Sequence, residues 1–334
     1  MFFRLLTLSI LFGLAAVCVA QQSICKAVEL PVGVISVTGE SFRGLNAEDF
    51  NGHIQKKSLG VKSLVYDDGP RRILIVLDAS KKLSNDSRRA EGEMIETLLA
   101  GSRPEDSFAL IHARGPGRVV KFTTDRGAIT QEIGASGISD GKEFGILDAV
   151  MAGIEHFGTP QSGDAIVVIA ADTEGNHKAN AKTVARALDE HHIRMFGLAL
   201  GPVATKNSVA GGTMTSTTSQ GLAWTTPGVG DIVYDTGDDH FFPLTVNSGG
   251  LVLGAMNMDP RRSYNMTDAN LVQRIRQQAR SIAKMISTFY RIQLESPQLS
   301  HPENWSLNIS ETIQKQSGQM FVLYPHSLGA CSGS

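Results

Sequence analysis

Cysteine is scarce, with three in 334 residues, and the first of them, Cys18, lies in an apolar opening segment. A cysteine-rich disulfide scaffold is excluded, and no zinc-type cysteine or histidine spacing is present. An excess of one charge is lacking as well. Lys and Arg total 31 against 33 Asp and Glu, a formal net charge of −2, which leaves no electrostatic footprint for nucleic acid. The sequence contains no G-x-S-x-G elbow, no Walker loop and no dinucleotide glycine fingerprint. Beyond the opening residues no apolar run reaches the ~20 residues that a membrane-spanning helix needs. Hydrophobic residues make up 42%, enough for one large domain with attachments or for two domains.

The opening is different in kind. Met1 to Arg4 supplies a basic start, Leu5 to Val17 an apolar core, and Cys18-Val19-Ala20 a small-residue cleavage site. This is the anatomy of a secretory signal peptide, with cleavage expected before Gln21 and a secreted, periplasmic or cell-envelope destination. The apolar core is short for a retained anchor, and Ala15 and Val17 are poor matches to a lipoprotein signal at Cys18. The expected mature chain keeps Cys25 and Cys331, one near each end. A bond between them would close a loop worth roughly 4–5 kcal/mol in the chain-entropy model, and two free thiols are the alternative.

After residue 20, a β segment is expected over 21–70, with strand-like pieces at Val32–Val37 and Ser63–Tyr66 and a helical turn capped by Asn46. From 71 to 288 strands alternate with helices: Arg71–Asp78, a helix capped by Ser84 or Asn85, Ser107–Ala113, Arg118–Phe122 in a hairpin, helices Thr124–Ile133 and Glu143–Phe157, Ala165–Ala171, a helix Lys178–His191, and Ile193–Leu200. That order predicts an α/β fold with a doubly wound, mostly parallel sheet flanked by helices. Residues 201–250 interrupt it with a Gly/Ser/Thr-rich insertion carrying Asp231, Asp235, Asp238, Asp239 and His240, read as a solvated acidic turn in preference to a Ca²⁺ site. Leu271, Ile275, Ala279, Ile282 and Ile286 form the stripe of a last helix, capped by Thr267 or Asp268. The tail from 289 to 334 reads as β, and the two ends are expected to form a small β layer together. The pair His191-His192 reads as a helix-ending turn in preference to a metal site.

The stretch Ile73 to Leu77 is a short aliphatic run that ends in Asp78 and, two residues on, Ser80. Such a run reads as a strand buried on both faces, and polar groups at its carboxyl end lie on the rim where open α/β sheets bind ligands. This segment resembles the first strand of the von Willebrand factor type A domain, which ends in D-x-S-x-S, the start of a metal-ion-dependent adhesion site. The resemblance runs from about Arg71 to Ile292. Gly39 to Phe50 is also similar to a lead-in of bacterial exported proteins that carry a type A-related domain. The resemblance implies a Mg²⁺ ion on two serines, a threonine and two aspartates. Asp78 and Ser80 match the first loop and Asp172 the third, whereas Lys82 stands for the second serine and Phe144 for the threonine. Two direct oxygens are thereby lost. At ~4 Å the Lys82 ammonium would attract Asp78 by about 4 kcal/mol at an effective dielectric of 20, in competition with a weakly held cation. Ser139, Asp140 or Glu143 would have to supply an oxygen for metal to bind, so the expectation is a degenerate site with no cofactor.

Three functions follow as expectations, in this order. The first is an exported, non-enzymatic module that binds or adheres to a protein partner through the rim. The second is a structural or assembly subunit of an envelope complex that uses other surfaces, and the third is a hydrolase with a site in the 201–250 insertion. Sequons at Asn85, Asn265, Asn304 and Asn308 matter only where exported proteins are glycosylated.

Overall fold

The computed structural model describes residues 28–36, 40–79, 83–113, 119–135, 145–170, 178–200, 241–254, 265–295, 299, 301–317 and 320–329, with four two-residue strands between 217 and 231. Strands β1 (Glu29–Ser36), β2 (Phe50–Ile54), β3 (Lys57–Leu59) and β4 (Val61–Asp67) come first. Then follow β5 (Arg72–Asp78), α1 (Asn85–Gly101), β6 (Ser107–Ala113), β7 (Val119–Thr123), α2 (Arg126–Ala135), α3 (Ile146–Phe157), β8 (Ala165–Ala170), α4 (Ala181–His191) and β9 (Arg194–Ala199). The short strands β10 (Thr217–Thr218), β11 (Gly221–Leu222), β12 (Thr225–Thr226) and β13 (Gly230–Asp231) precede α5 (Phe241–Asn247), β14 (Val252–Gly254) and α6 (Ala269–Ser287). The tail holds β15 (Phe289–Leu294), β16 (Glu303–Ile309), α7 (Glu311–Ser317), β17 (Met320–Leu323) and β18 (Ser327–Leu328).

The main sheet runs β12-β13-β14-β9-β8-β5-β6-β7. Its middle strands β14, β9, β8, β5 and β6 are parallel, and β7 closes one edge antiparallel to β6. Every residue of β8 and β9 is buried, as the aliphatic runs require for strands covered on both faces. Alternation along β5 sends Ile73, Ile75 and Leu77 toward α1 and α6, where Met94, Ile95, Leu98, Ile275 and Ile282 meet them. Leu74 and Val76 point the other way, into the core under α3 and α4 with Val150, Ile154 and Leu188. The sheet is doubly wound: the chain enters at β5, runs outward to β6 and β7, and crosses back to β8 on the other side of β5. The topological switch point therefore lies between β5 and β8.

The two ends of the chain pair with each other. Strands β17-β1-β15-β4 form one four-stranded sheet and β18-β16-β2-β3 a second, and their apolar faces share one core. Leu30, Val32, Tyr290 and Ile292 come from the first sheet, Phe50, Trp305, Leu307 and Ile309 from the second. The expected β layer is present, and the second sheet covers the apolar face that a lone layer would leave wet. Asp67 and Phe289 are partners in the β4–β15 ladder, so the type A unit enters and leaves this sandwich at adjacent points.

Caps terminate the helices where local chemistry directs. The Ser84 hydroxyl accepts from the Ser87 amide, and the Asp268 carboxylate accepts from the Asn270 amide. At the opposite ends, helix carbonyls are gathered by arginines. Arg126 donates to the carbonyls of Ser102 and Arg103 after α1, and Arg72 to that of Phe157 at the end of α3. Arg194 donates to Met285 and Ile286 at 3.1 Å each, and Arg103 and Arg71 both reach Ser287, on the last turn of α6. Cations there answer the negative end of each helix dipole and satisfy carbonyls without intrahelical partners.

Candidate functional site

Asp78 is the last residue of β5, fully buried, with Ala113 of β6 as its partner across the ladder. The ladder continues one step further on each side: the Ala79 amide donates to the Ala113 carbonyl at 2.8 Å, and the Leu200 amide to the Ala170 carbonyl at 2.9 Å. The carboxyl ends of β5, β6, β8 and β9 thus form one rim, with Asp78 beside the switch point where ligands of open α/β sheets bind.

A second carboxylate organises this rim. Asp148, in the first turn of α3, accepts from the amides of Lys178 at 2.9 Å and Ala179 at 2.7 Å, and from that of Gly145 at 3.3 Å. One side chain therefore ties the start of α3 to the stretch leading into α4. The N-termini of α1, α3 and α4 all belong to this rim, with Ser84, Gly145 and Asn180 as their caps. Each helix N-terminus contributes partial positive charge there, offset by Asp86 in the first turn of α1 and Asp148 in that of α3.

Glu91 is the residue that reading the sequence missed. It lies on the buried face of α1, 3% exposed, and its Oε1 has no hydrogen-bond partner among the described residues. Burial first, and then the neighbouring charge of Asp78, push its carboxyl well above the ordinary range, with Arg88 opposing. A signal was there to be read. Glu91 stands four residues before Ile95 and seven before Leu98, on the apolar stripe of the helix, where an acid is out of place.

Of the residues expected at the site, Asp78 is described, whereas Ser80, Lys82, Phe144 and Asp172 lie outside the described residues, as do Ser139, Asp140 and Glu143. Ser80 and Lys82 belong to the three-residue segment that joins Ala79 to Leu83. Cys25, Cys331 and residues 1–20 also lie outside, and so do Asp235, Asp238, Asp239 and His240 of the acidic cluster. Asp231 sits in β13, opposite Thr225 and Gly254. His191 and His192 end α4: His192 takes the left-handed conformation at φ 51° and its amide donates back to the Asp189 carbonyl. Among the described residues no group of three or more His, Cys, Asp or Glu can hold a metal ion. No described helix is long and apolar enough to cross a membrane.

A Mg²⁺ ion takes charged and neutral oxygens in octahedral order. The described surroundings supply one aspartate and a second carboxyl, Glu91, that its environment pushes toward the neutral form. On the type A resemblance, Lys82 and Phe144 stand where two further oxygens would be.

No protein-family model matches the chain, and no curated protein matches it. Solved structures of low identity are similar to it. An aerotolerance-related membrane protein from Bacteroides fragilis is 19% identical over 65% of this chain and 98% of its own, with a TM-score of 0.43. The conserved hypothetical protein BatB from Bacteroides thetaiotaomicron is 18% identical over 63% and 99%, with a TM-score of 0.39. A von Willebrand factor type A protein from Catenulispora acidiphila is 10% identical over 93% and 76%, with a TM-score of 0.44. These are likenesses only, and the assignment of fold rests on the topology itself. Its strand order and flanking helices make a doubly wound α/β fold like that of the von Willebrand factor type A domain, with an aspartate ending the first parallel strand.

Proposed function

We propose that the chain is an exported, non-enzymatic protein-binding module whose type A rim meets a protein partner without a bridging metal ion. The observation that supports this most is the rim itself. Asp78 is buried at the switch point, and Asp148 holds the flanking segments together through three backbone amides. Three helix N-termini face the same side, and Lys82 follows Asp78 closely in sequence. Together they favour an acidic group on the partner. Export is supported by the anatomy of residues 1–20.

A second reading draws on a different observation. The sandwich built from both chain ends is a sizeable structure in its own right, with eight strands in two sheets. As an assembly subunit of an envelope complex, the chain would use that surface instead of the rim. Capture by the immobilised mature chain separates the two readings. On the rim reading a partner is retained in Mg²⁺ and in EDTA alike and is lost with Lys82→Glu. It is retained with Val65→Glu, a change at a 47% exposed position on the sandwich. Capture that survives Lys82→Glu and fails with Val65→Glu favours the assembly reading. Capture abolished by EDTA overturns the metal-free rim.

A further inference from the structure

Among the described residues two large apolar side chains stand well exposed, Val65 at 47% and Val119 at 44%. Both lie on end strands: Val65 on β4, which closes the sheet β17-β1-β15-β4, and Val119 on β7, which closes the main sheet. An end strand leaves a row of backbone donors and acceptors open to another strand, and proteins commonly blunt such an edge with a lysine or a bulge. Strand β7 carries both devices, Lys121 and a shift in register against β6. A symmetric pair centred on β7 would also set Lys121 against its own copy. Strand β4 is different. Its ladder with β15 is regular from Ser63 to Asp67 and the shift falls at Lys62, so Val65 sits at the middle of an unbroken run.

The side chains of β4 divide between two faces. Leu64 and Tyr66 pack on the core of the sandwich, where the Tyr66 ring meets that of Tyr290 at 5.3 Å. Ser63, Val65 and Asp67 alternate with them and lie on the other face. A second copy laid antiparallel, with a two-fold axis through Val65, keeps every residue on its own face. Val65 then meets the second copy's Val65, Leu64 its Tyr66, and Ser63 its Asp67. The Asp67 carboxylate already accepts from Arg71 and from the Gly69 amide, and it has room for a serine hydroxyl besides. Lys62 faces the second copy's Asp68, both of them exposed, so this register brings opposite charges together twice. Moving the axis one residue either way sets Val65 against Ser63 or Asp67 and Lys62 against Tyr66 or Pro70.

We infer that two copies of this chain pair through β4, joining their four-stranded sheets into one of eight strands. A surface that meets itself across a two-fold axis is the commonest contact between identical chains. One strand from each copy takes part, short of the roughly 1,600 Å² of a standard interface, so the dimer is reversible and forms at high concentration. The chain passes from β4 to the amino end of β5, whereas the rim lies at the carboxyl end of β5, about 20 Å away at ~3.3 Å per residue. The pairing therefore leaves both rims free, and it stands or falls independently of what they bind.

The test is sedimentation velocity of the full mature chain, alone, over a dilution series from micromolar to near-millimolar. Wild type is expected to pass from one chain to two. Val65→Glu should weaken the dimer about tenfold or more, because two carboxylates would meet at the axis. Lys62→Asp and Asp68→Lys should each weaken it by a similar factor, since each sets like charges together twice. Mixed in equal amounts, these two variants should associate as wild type does, because the mixed dimer restores both Lys–Asp pairs. A wild type that stays monomeric throughout overturns the inference, and so does a mixture that binds no tighter than its components. Amide hydrogen exchange supplies a second reading. Residues 61–67 should gain protection as concentration rises, and exchange there that does not respond to concentration overturns the pairing.

Discussion

Arg194 opens a strand that is otherwise wholly apolar, and it is fully buried. Its guanidinium lies 4.4 Å from the Phe289 ring and 5.4 Å from that of Phe196, and it donates to two carbonyls at the end of α6. Burial, with Arg71 nearby, lowers its pKa from 12.5 to about 9. At about 1.4 kcal/mol per tenfold change, keeping the charge there costs about 5 kcal/mol. Against that stand two charge-assisted hydrogen bonds of about 1.5–3 kcal/mol each and ring contacts of about 2 kcal/mol. The two sides nearly balance, so Arg194→Leu should destabilise the chain by only about 1–3 kcal/mol. Arg194→Lys should be worse, because an ammonium keeps the buried charge but cannot reach both carbonyls in the fork geometry of a guanidinium. Urea unfolding at pH 7, with an unchanged m-value, measures both. A lysine variant as stable as wild type, or a leucine variant that loses more than about 5 kcal/mol, refutes this reasoning.

Asp148→Ala should lower stability by about 2 kcal/mol and release the Lys178 and Ala179 amides to exchange, while partner capture by the rim falls with it. Glu91→Gln tests the buried acid. A raised carboxyl stabilises below its ordinary pH range and loses that contribution as pH rises, so the glutamine variant should match wild type near pH 4 and exceed it at pH 7 in urea unfolding. Wild type should show no rise in melting temperature with Mg²⁺, whereas Lys82→Ser with Phe144→Thr should bind Mg²⁺ measurably by calorimetry and do so better than either change alone.

Much of this architecture is legible along the chain, because its elements are local patterns. Ile73 to Leu77 and Ala165 to Ala170 are uninterrupted aliphatic runs that only a doubly covered strand accommodates. The caps Ser84 and Asp268 precede their apolar stripes by the expected step. Two short helices escaped this reading. Helix α5 carries Pro243, and α7, Glu311–Ser317, has a single apolar residue at Ile313 and so no stripe. The second sheet of the sandwich was equally hidden, because β16 pairs with β2 across some 250 residues and no local signal specifies such a partner. At the site, Asp78 announced itself by ending an apolar strand. Asp148 carried no such mark, since its amide partners sit 30 residues downstream.

The adjacency of Asp67 and Phe289 also bears on the order in which the molecule is made. Everything between them, β5 through α6, can fold once it has been synthesised, with its parallel strands paired among themselves. Strands β1 and β4 meanwhile have no partners until β15 is added, and β2, paired on one side with β3, waits longer for β16 on the other. Apolar strands with unpaired edges are the species most prone to self-association during folding. A nascent chain that has emerged only as far as residue 288 would therefore hold out a finished type A unit trailing an unfinished N-terminal sheet. Shortening that interval, or linking the tail ahead of β1 by circular permutation, should raise the yield of folded protein more than any stabilisation of the type A core.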